Sequence, residues 1–407
     1  MQASGPLIIS TMKNEGPYIL EWIAYHRAIG FTDFLIYTND CEDGTTELLD
    51  RLTARGIVRH ERNEVLRRGP HKSALKYAMA HPLTRSAEWV LISDVDEFLN
   101  IHVGDGSVQT LLDTMPEDTD AVSVTWRLFS HDGHIAYADR PLIAQFTDAE
   151  RDLEEGGFPN RYVKTLLRHP ARLDRFGLHR PIVAAEHVES YTSRAPDGTL
   201  FDGDMRNAKS KSHFAYDAAQ MNHYAVRSLD SYLIKRDRGR ANHVGQVLGA
   251  EYWQKMCRGG ARDTTIQRHL PAVEAGIAQL RTDPQTAALH DGAVAWHHAK
   301  IAELHARPEF AALHAEIAAL AAAGDHLRTR DVAPMPVEGA STPASFPAPA
   351  PPPLADDPED PADALRDMAG RMRHLLDHIG PAEAASAAHA RLDEIERGLF
   401  GRTSREG

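Results

Sequence analysis

Along the first 120 residues, short apolar runs alternate with stretches whose apolar positions recur at helical spacing. Leu7 to Ser10, Phe34 to Tyr37, Val58 to Arg62 and Trp89 to Ser93 read as strands. Pro17 to Ile29, with Ile19, Leu20, Ile23 and Ala24 inward, reads as a helix, as do Thr45 to Leu52 and His71 to Ala80. Strand and helix in strict alternation predict βαβ units and a doubly wound α/β domain around a mostly parallel sheet. The run WVLIS from Trp89 is apolar almost without break, which suits a strand buried on both faces. Ligands of such sheets bind beyond the carboxyl ends of the strands. The polar residues there carry the most weight: Lys13 to Glu15, Thr38 to Asp43 and Asp94 to Glu97.

From Ala121 to Asn207 the pattern yields one strand, Val122 to Trp126, and no topology. Helical spacing returns at Ser228 to Asp237 and dominates from Glu251 to Leu327, where Phe310, Leu313, Ile317 and Leu320 share a face. Ten of the 24 prolines then fall between Pro334 and Pro361, a stretch that must be extended and joins a core poorly. Beyond it, Leu365, Met368, Met372, Leu375 and Ile379, then Leu392, Ile395 and Leu399, predict a detached helical hairpin. The expected organisation is a catalytic domain over 1–250, a helical extension over 251–330, a Pro-rich linker over 331–361 and a helical tail over 362–407.

Composition narrows the class. With 407 residues, 42% hydrophobic and 25% charged, the chain can bury a sizeable core. A formal charge of -13 supplies no basic field for phosphates of nucleic acid. The stretch from Asp331 onward holds 14 acidic and 7 basic residues, so an acidic tail that recruits a protein partner or self-associates is expected. Two cysteines, Cys41 and Cys257, give neither a disulfide framework nor a zinc motif. The N-terminus carries no signal-peptide pattern and no segment reads as transmembrane, so the expected location is the cytoplasm, with peripheral association at the inner membrane face left open.

The sharpest chemical feature is Asp94-Val95-Asp96-Glu97, directly after WVLIS. Three carboxylates in four residues repel one another and raise one another's pKa unless a counter-charge is present. A divalent cation, Mg²⁺ or Mn²⁺, would supply it through hard oxygen ligands, while a solvated loop with a capping Asp would need none. Two basic clusters stand out in this acidic chain: Arg67, Arg68, His71 and Lys72 at the start of the third helix, and Lys235, Arg236, Arg238 and Arg240. Either would suit a diphosphate or simply a solvated face.

The order TMKNEGPYILEWIAYHRAIGF, DGTTELL, WVLISDVDEF, with WRLF at Trp126, HRP at His179 and NHYAVRSLDSYLIKRDRGR at Asn222, resembles the bacterial family 2 glycosyltransferases of the GT-A fold, in the branch similar to glycosyltransferase family 92. The resemblance covers residues 5 to 245. It implies a Rossmann-like GT-A domain, a nucleotide-sugar donor and a glycan or lipid-linked acceptor in polysaccharide or glycoconjugate assembly. It implies donor contacts from Asn14, Glu15, Asn39, Asp40, Asp43, Lys72, Asp94, Lys235 and Arg238, and a Mn²⁺ or Mg²⁺ held by Asp94, Asp96 and His223. For Asp43 a capping role competes with donor contact. Thr38 stands where many relatives have Asp, which puts the preferred nucleotide in question. His179 and Arg180 would shape the acceptor side. Inverting transfer needs a carboxylate base, and Glu186, Glu189, Asp202 and Asp204 lie in the right stretch. Two other readings fit: a sugar-phosphate nucleotidyltransferase, although no Gly-rich basic signature follows the first strand, and a non-catalytic glycan-binding protein that uses its tail to recruit partners.

Overall fold

The computed structural model describes residues 2–67, 69–151, 162–168, 170–201, 216–239 and 248–324. The chain divides into two compact units, Met1–Asp331 and Val332–Gly407. The expected linker and tail over 331–407, with Arg68, Asp202, Asp204 and Arg240, lie outside the described residues.

Each early apolar run extends as a strand: β1 (Leu7–Met12), β2 (Asp33–Thr38), β3 (Arg59–Arg62) and β4 (Trp89–Ile92). Successive side chains of a strand point to opposite faces. Ile8, Phe34, Ile36 and Leu91 therefore join one apolar cluster, and Leu7, Ile9, Leu35, Tyr37, Val90 and Ile92 join another. Burial on both faces is why these runs lack polar alternation. The connecting helices α1 (Ile19–Ala28), α2 (Thr45–Ala54) and α3 (Pro70–Ala80) supply the covering layers. Trp22 and Tyr25 of α1 and Leu48 of α2 serve the first cluster, and Ala74 and Leu75 of α3 the second.

The sheet has nine strands. Its path runs β3-β2-β1-β4, then Val163–Arg168, β6 (Ala121–Leu128), Ala219–His223 and β5 (Glu97–Ile101), and the short strand Ser193–Arg194 pairs with β6. The first four strands pair in parallel. Val163–Arg168 is antiparallel to both β4 and β6. Two reversals restore the direction, so β6 and its parallel partner Ala219–His223 end at the same edge as β1 and β4. That edge also receives the beginning of Val163–Arg168, and with it Lys164. The mostly parallel α/β sheet expected from the pattern is therefore present. The antiparallel insertion is the part the pattern did not supply.

The later helices pack within the first unit. Leu270–Arg281 lies on α1 so closely that a Cβ at Gly276 would come 2.9 Å from the Ala24 Cβ. Pro284–His305 and Pro308–Ala322 cover Leu229–Asp237 through Leu229, Leu233, Leu304, Phe310, Leu313 and Ile317. A second tie is polar. Glu21, buried on α1, accepts the Leu142 and Ile143 backbone N–H groups at 2.8 and 3.1 Å, capping the short helix Leu142–Gln145.

Burial pushes the Glu21 carboxyl up to about 7, against the pull of those two N–H donors. A raised carboxyl pKa means that the folded state holds the proton more tightly than the unfolded one. The stabilisation is complete below about pH 4.5 and is lost as pH rises through about 7. In urea titrations between pH 4.5 and 8, wild type should lose about 3 kcal/mol more than Glu21→Gln.

Candidate active site

At the carboxyl edge of the sheet, loops and strand ends enclose a cleft of about 720 Å³. Lys13 and Glu15 reach it from the end of β1, Asn39 and Asp40 from β2, and Asp94 and Asp96 from β4. Trp126 and His223 come from the ends of their parallel strands, Lys164 from its antiparallel one, and Lys235 and Arg238 from the last turn of Leu229–Asp237 and just beyond it. Residues from the ends of five strands thus meet because strands of like direction end together.

The carboxylates after β4 are neutralised by two lysines. Lys164, with only 1% of its side chain exposed, donates to Asp94 Oδ2 at 3.1 Å and lies 3.0 Å from Glu97 Oε2. Lys235 donates to Asp96 Oδ2 at 2.8 Å and to the Ala225 carbonyl at 2.7 Å. Burial alone would raise the Asp94 and Asp96 pKa values. Lys164 and His71 outweigh it at Asp94, and Lys235 and His223 hold Asp96 well below the carboxylate range. Glu97 is fully buried, and burial pushes it up to about 8 despite Lys164, helped by the charges of Asp94 and Asp96. Its Oε2 also accepts the Asp94 backbone N–H at 2.8 Å, which fixes the turn. Glu97 therefore holds the loop from beneath.

Glu15 forms a second charged centre, accepting from Arg227 at 2.9 Å and from Arg238. Arg238 also donates to the Lys13 carbonyl at 2.7 Å, and the Arg227 guanidinium lies 3.6 Å from the centre of the Tyr18 ring. Asn14, buried with φ of 51°, accepts the Glu42 backbone N–H at 2.8 Å through Oδ1 and so joins the loops after β1 and β2. Asp43 is buried as a bridge: it accepts from Gly16 N at 2.8 Å and Thr45 N at 2.9 Å. Lys72 is exposed on α3, while its neighbour His71 lines the cleft. Thr38 bonds His60 at 2.7 Å, and His60 in turn bonds Asp50 at 2.7 Å.

Of the expected bases, Glu186 and Glu189 sit exposed on the 3₁₀ turn Ala185–Ser190, and neither lines the cleft. Asp204 lies outside the described residues. His179 does line the cleft. Burial lowers its pKa to about 3, so it is neutral, and its ring forms an aromatic group with Tyr162 and Trp126 at centroid distances of 5.0 and 5.1 Å.

Asp94, Asp96 and His223 are donors of the types a divalent ion takes, although their ligand atoms do not all lie within 4.8 Å of one another. Two carboxylates end in the cleft, and His223 Nε2 stands 3.7 Å from Asp96 Oδ1, the oxygen turned away from Lys235. Sequence reasoning missed Lys164, Arg227 and Tyr18. Lys164 had a signal, since a lysine inside the apolar strand VKTLLR needs buried acids for company.

A sequence model for glycosyltransferase family 92 matches residues 9–267. The chain belongs to glycosyltransferase family 92. Curated relatives include family 92 proteins of Ricinus communis, 31% identical over 102 residues (24% of this chain, 17% of that protein), and of Oryza sativa subsp. japonica, 30% identical over 114 residues (27% and 18%). The family 92 chain thus spans less than a fifth of the length of the curated relatives it matches. Among solved structures, S. aureus TarS 1-349 in complex with UDP-GlcNAc aligns over 98% of this chain and 93% of that one at 13% identity and a TM-score of 0.31. A Bacillus anthracis glucose-1-phosphate thymidylyltransferase aligns over 42% and 72% at 11% identity and a TM-score of 0.26.

Removing Lys164 would strand buried carboxylates. Lys164→Met should lower the unfolding free energy by about 3 kcal/mol. Adding Asp94→Asn, which removes the ionised partner of Lys164, should recover at least about 1 kcal/mol of that in a double-mutant cycle read by urea denaturation.

Proposed function

We propose that this chain is a metal-assisted glycosyltransferase that moves a sugar from a nucleotide-diphosphate donor to a hydroxyl of a glycan or lipid-linked acceptor, in cytoplasmic assembly of a surface polysaccharide or glycoconjugate. One observation carries the reading: Asp94 and Asp96 end in a cleft where Lys164, Lys235 and Arg238 stand around them. Family membership supports it. Two free cysteines, with no disulfide, fit a reducing compartment.

The leaving group of such a transfer is a nucleoside diphosphate that gains negative charge as the sugar departs. Asp94, Asp96 and His223 would hold Mn²⁺ or Mg²⁺, which when bound acts as a Lewis acid on that diphosphate. Lys235 and Arg238, at the end of Leu229–Asp237, would bind the same phosphates. Asn39 and Asp40, beyond β2, would take the base and ribose. Lys164 keeps Asp94 ionised and fixed. The rings of Trp126, Tyr162 and His179 would form the acceptor wall, where a sugar can stack. Asp204 is the proposed base for inverting transfer in the manner of family 2.

UDP, GDP, CDP and TDP, each with and without Mn²⁺, should be screened by thermal shift on wild type and Asp96→Asn. One nucleotide should stabilise wild type in a metal-dependent way, with binding to the variant at least about tenfold weaker. No nucleotide binding, or full metal-dependent binding by the variant, would overturn the assignment.

A further inference from the structure

Away from the cleft, three metal-ligating side chains converge from three helices. Asp230 opens Leu229–Asp237, His305 closes Pro284–His305, and His314 lies mid-way along Pro308–Ala322. One donor atom of each lies within 4.8 Å of the others. His305 Nε2 is 2.7 Å and His314 Nε2 3.7 Å from Asp230 Oδ1, and the two imidazoles stand 4.6 Å apart at their centroids. The apolar packing beneath them, through Leu229, Leu304, Phe310, Leu313 and Ile317, fixes the three backbones.

Zinc bonds of about 2.1 Å at tetrahedral angles place neighbouring donor atoms about 3.4 Å apart. The His314 to Asp230 separation is already within a few tenths of an ångström of that value. The His305 contact is a hydrogen bond and would open slightly to admit an ion. A second observation points to a ligand. His314 Nε2 is buried and, among the described residues, has no hydrogen-bond partner, although it is turned toward the Asp230 carboxylate. Leaving a buried ring nitrogen unpaired costs roughly 1–3 kcal/mol. His305, 39% exposed, leaves a path for a solvent ligand to complete four-coordination. Two imidazoles with one carboxylate favour Zn²⁺ over Mg²⁺ or Ca²⁺.

We propose that Asp230, His305 and His314 form a Zn²⁺ site that clamps the helix Leu229–Asp237 to the two helices covering it. The far end of that helix is already tied to the same pair, since Asp237 meets Lys300 at 3.0 Å and Arg307 at 2.9 Å. Zinc at Asp230 secures the near end. The clamped helix is the one that delivers Lys235 to Asp96, so the ion would steady a wall of the cleft from outside it.

The test uses the full chain without a purification tag, stripped with EDTA and titrated with ZnCl₂ by calorimetry, with Tm followed in parallel. Wild type should bind one more equivalent of Zn²⁺ than His314→Ala and His305→Gln, and only wild type should gain Tm from that equivalent. Affinity at the site should fall at least about tenfold in each variant. His305 is partly exposed, so its variant keeps the fold, which circular dichroism verifies. Asp96→Asn should retain the extra equivalent, which separates this site from the cleft. Equal stoichiometry in wild type and both variants, or no zinc bound by wild type, would overturn the proposal.

Discussion

Three carboxyl groups crowd at Asp94, Asp96 and Glu97, at a sheet edge where Asp96 and Glu97 are buried, and like charges so close cannot persist there without nearby cations or a retained proton. Much of the site follows from meeting that requirement. Lys164 is brought in by a strand running against its neighbours, and Lys235 by a helix whose position is set by two others. Glu97, held largely protonated by burial, contributes its oxygen to the loop backbone and leaves Asp94 and Asp96 as the charged pair that faces the cleft. Charge neutralisation and site assembly are therefore one problem with one solution.

The two lysines differ in kind. Lys164 is sealed beneath the cleft and touches two carboxylates, so it acts as a permanent counter-ion. Lys235 is partly exposed and engages a single oxygen of Asp96, while the other oxygen faces His223. A cation arriving in the cleft can thus use Asp96 Oδ1 without displacing either lysine. A similar economy holds at Glu15, which takes both Arg227 and Arg238 and so fastens the loop after β1 to the chain before and after Leu229–Asp237.

The helices beyond residue 250 belong to this arrangement through packing. They form an apolar face over Leu229–Asp237 and close contact with α1 at Gly276, and both surfaces lie behind residues that reach the cleft. Their removal would expose Leu229 and Leu233 together, at a cost of roughly 1.5–3 kcal/mol for each large apolar side chain.

The apolar runs at Leu7, Phe34 and Trp89 and the helical spacing between them determined β1, β2, β4 and their covering helices, because burial on one or two faces writes its period directly into the chain. The placement of Asp94 and Asp96 after β4 was legible for the same reason. Asp43 illustrates what was not: a short polar residue before a helix reads equally as cap or ligand, and its bridge from Gly16 to Thr45 depends on two loops 27 residues apart coming together. Glu186 and Glu189 had the right chemistry for a base, but exposure on a 3₁₀ turn is a property of the folded surface. Sequence alone determined the first four strands, the helices between them and which of their loops would end at the cleft, since these rest on local periodicity. Only tertiary structure decided that Val163–Arg168 would insert antiparallel between β4 and β6, and that Lys164 would be the cation under Asp94. Strand order and charge pairing are long-range choices, and local pattern carries no record of the partner.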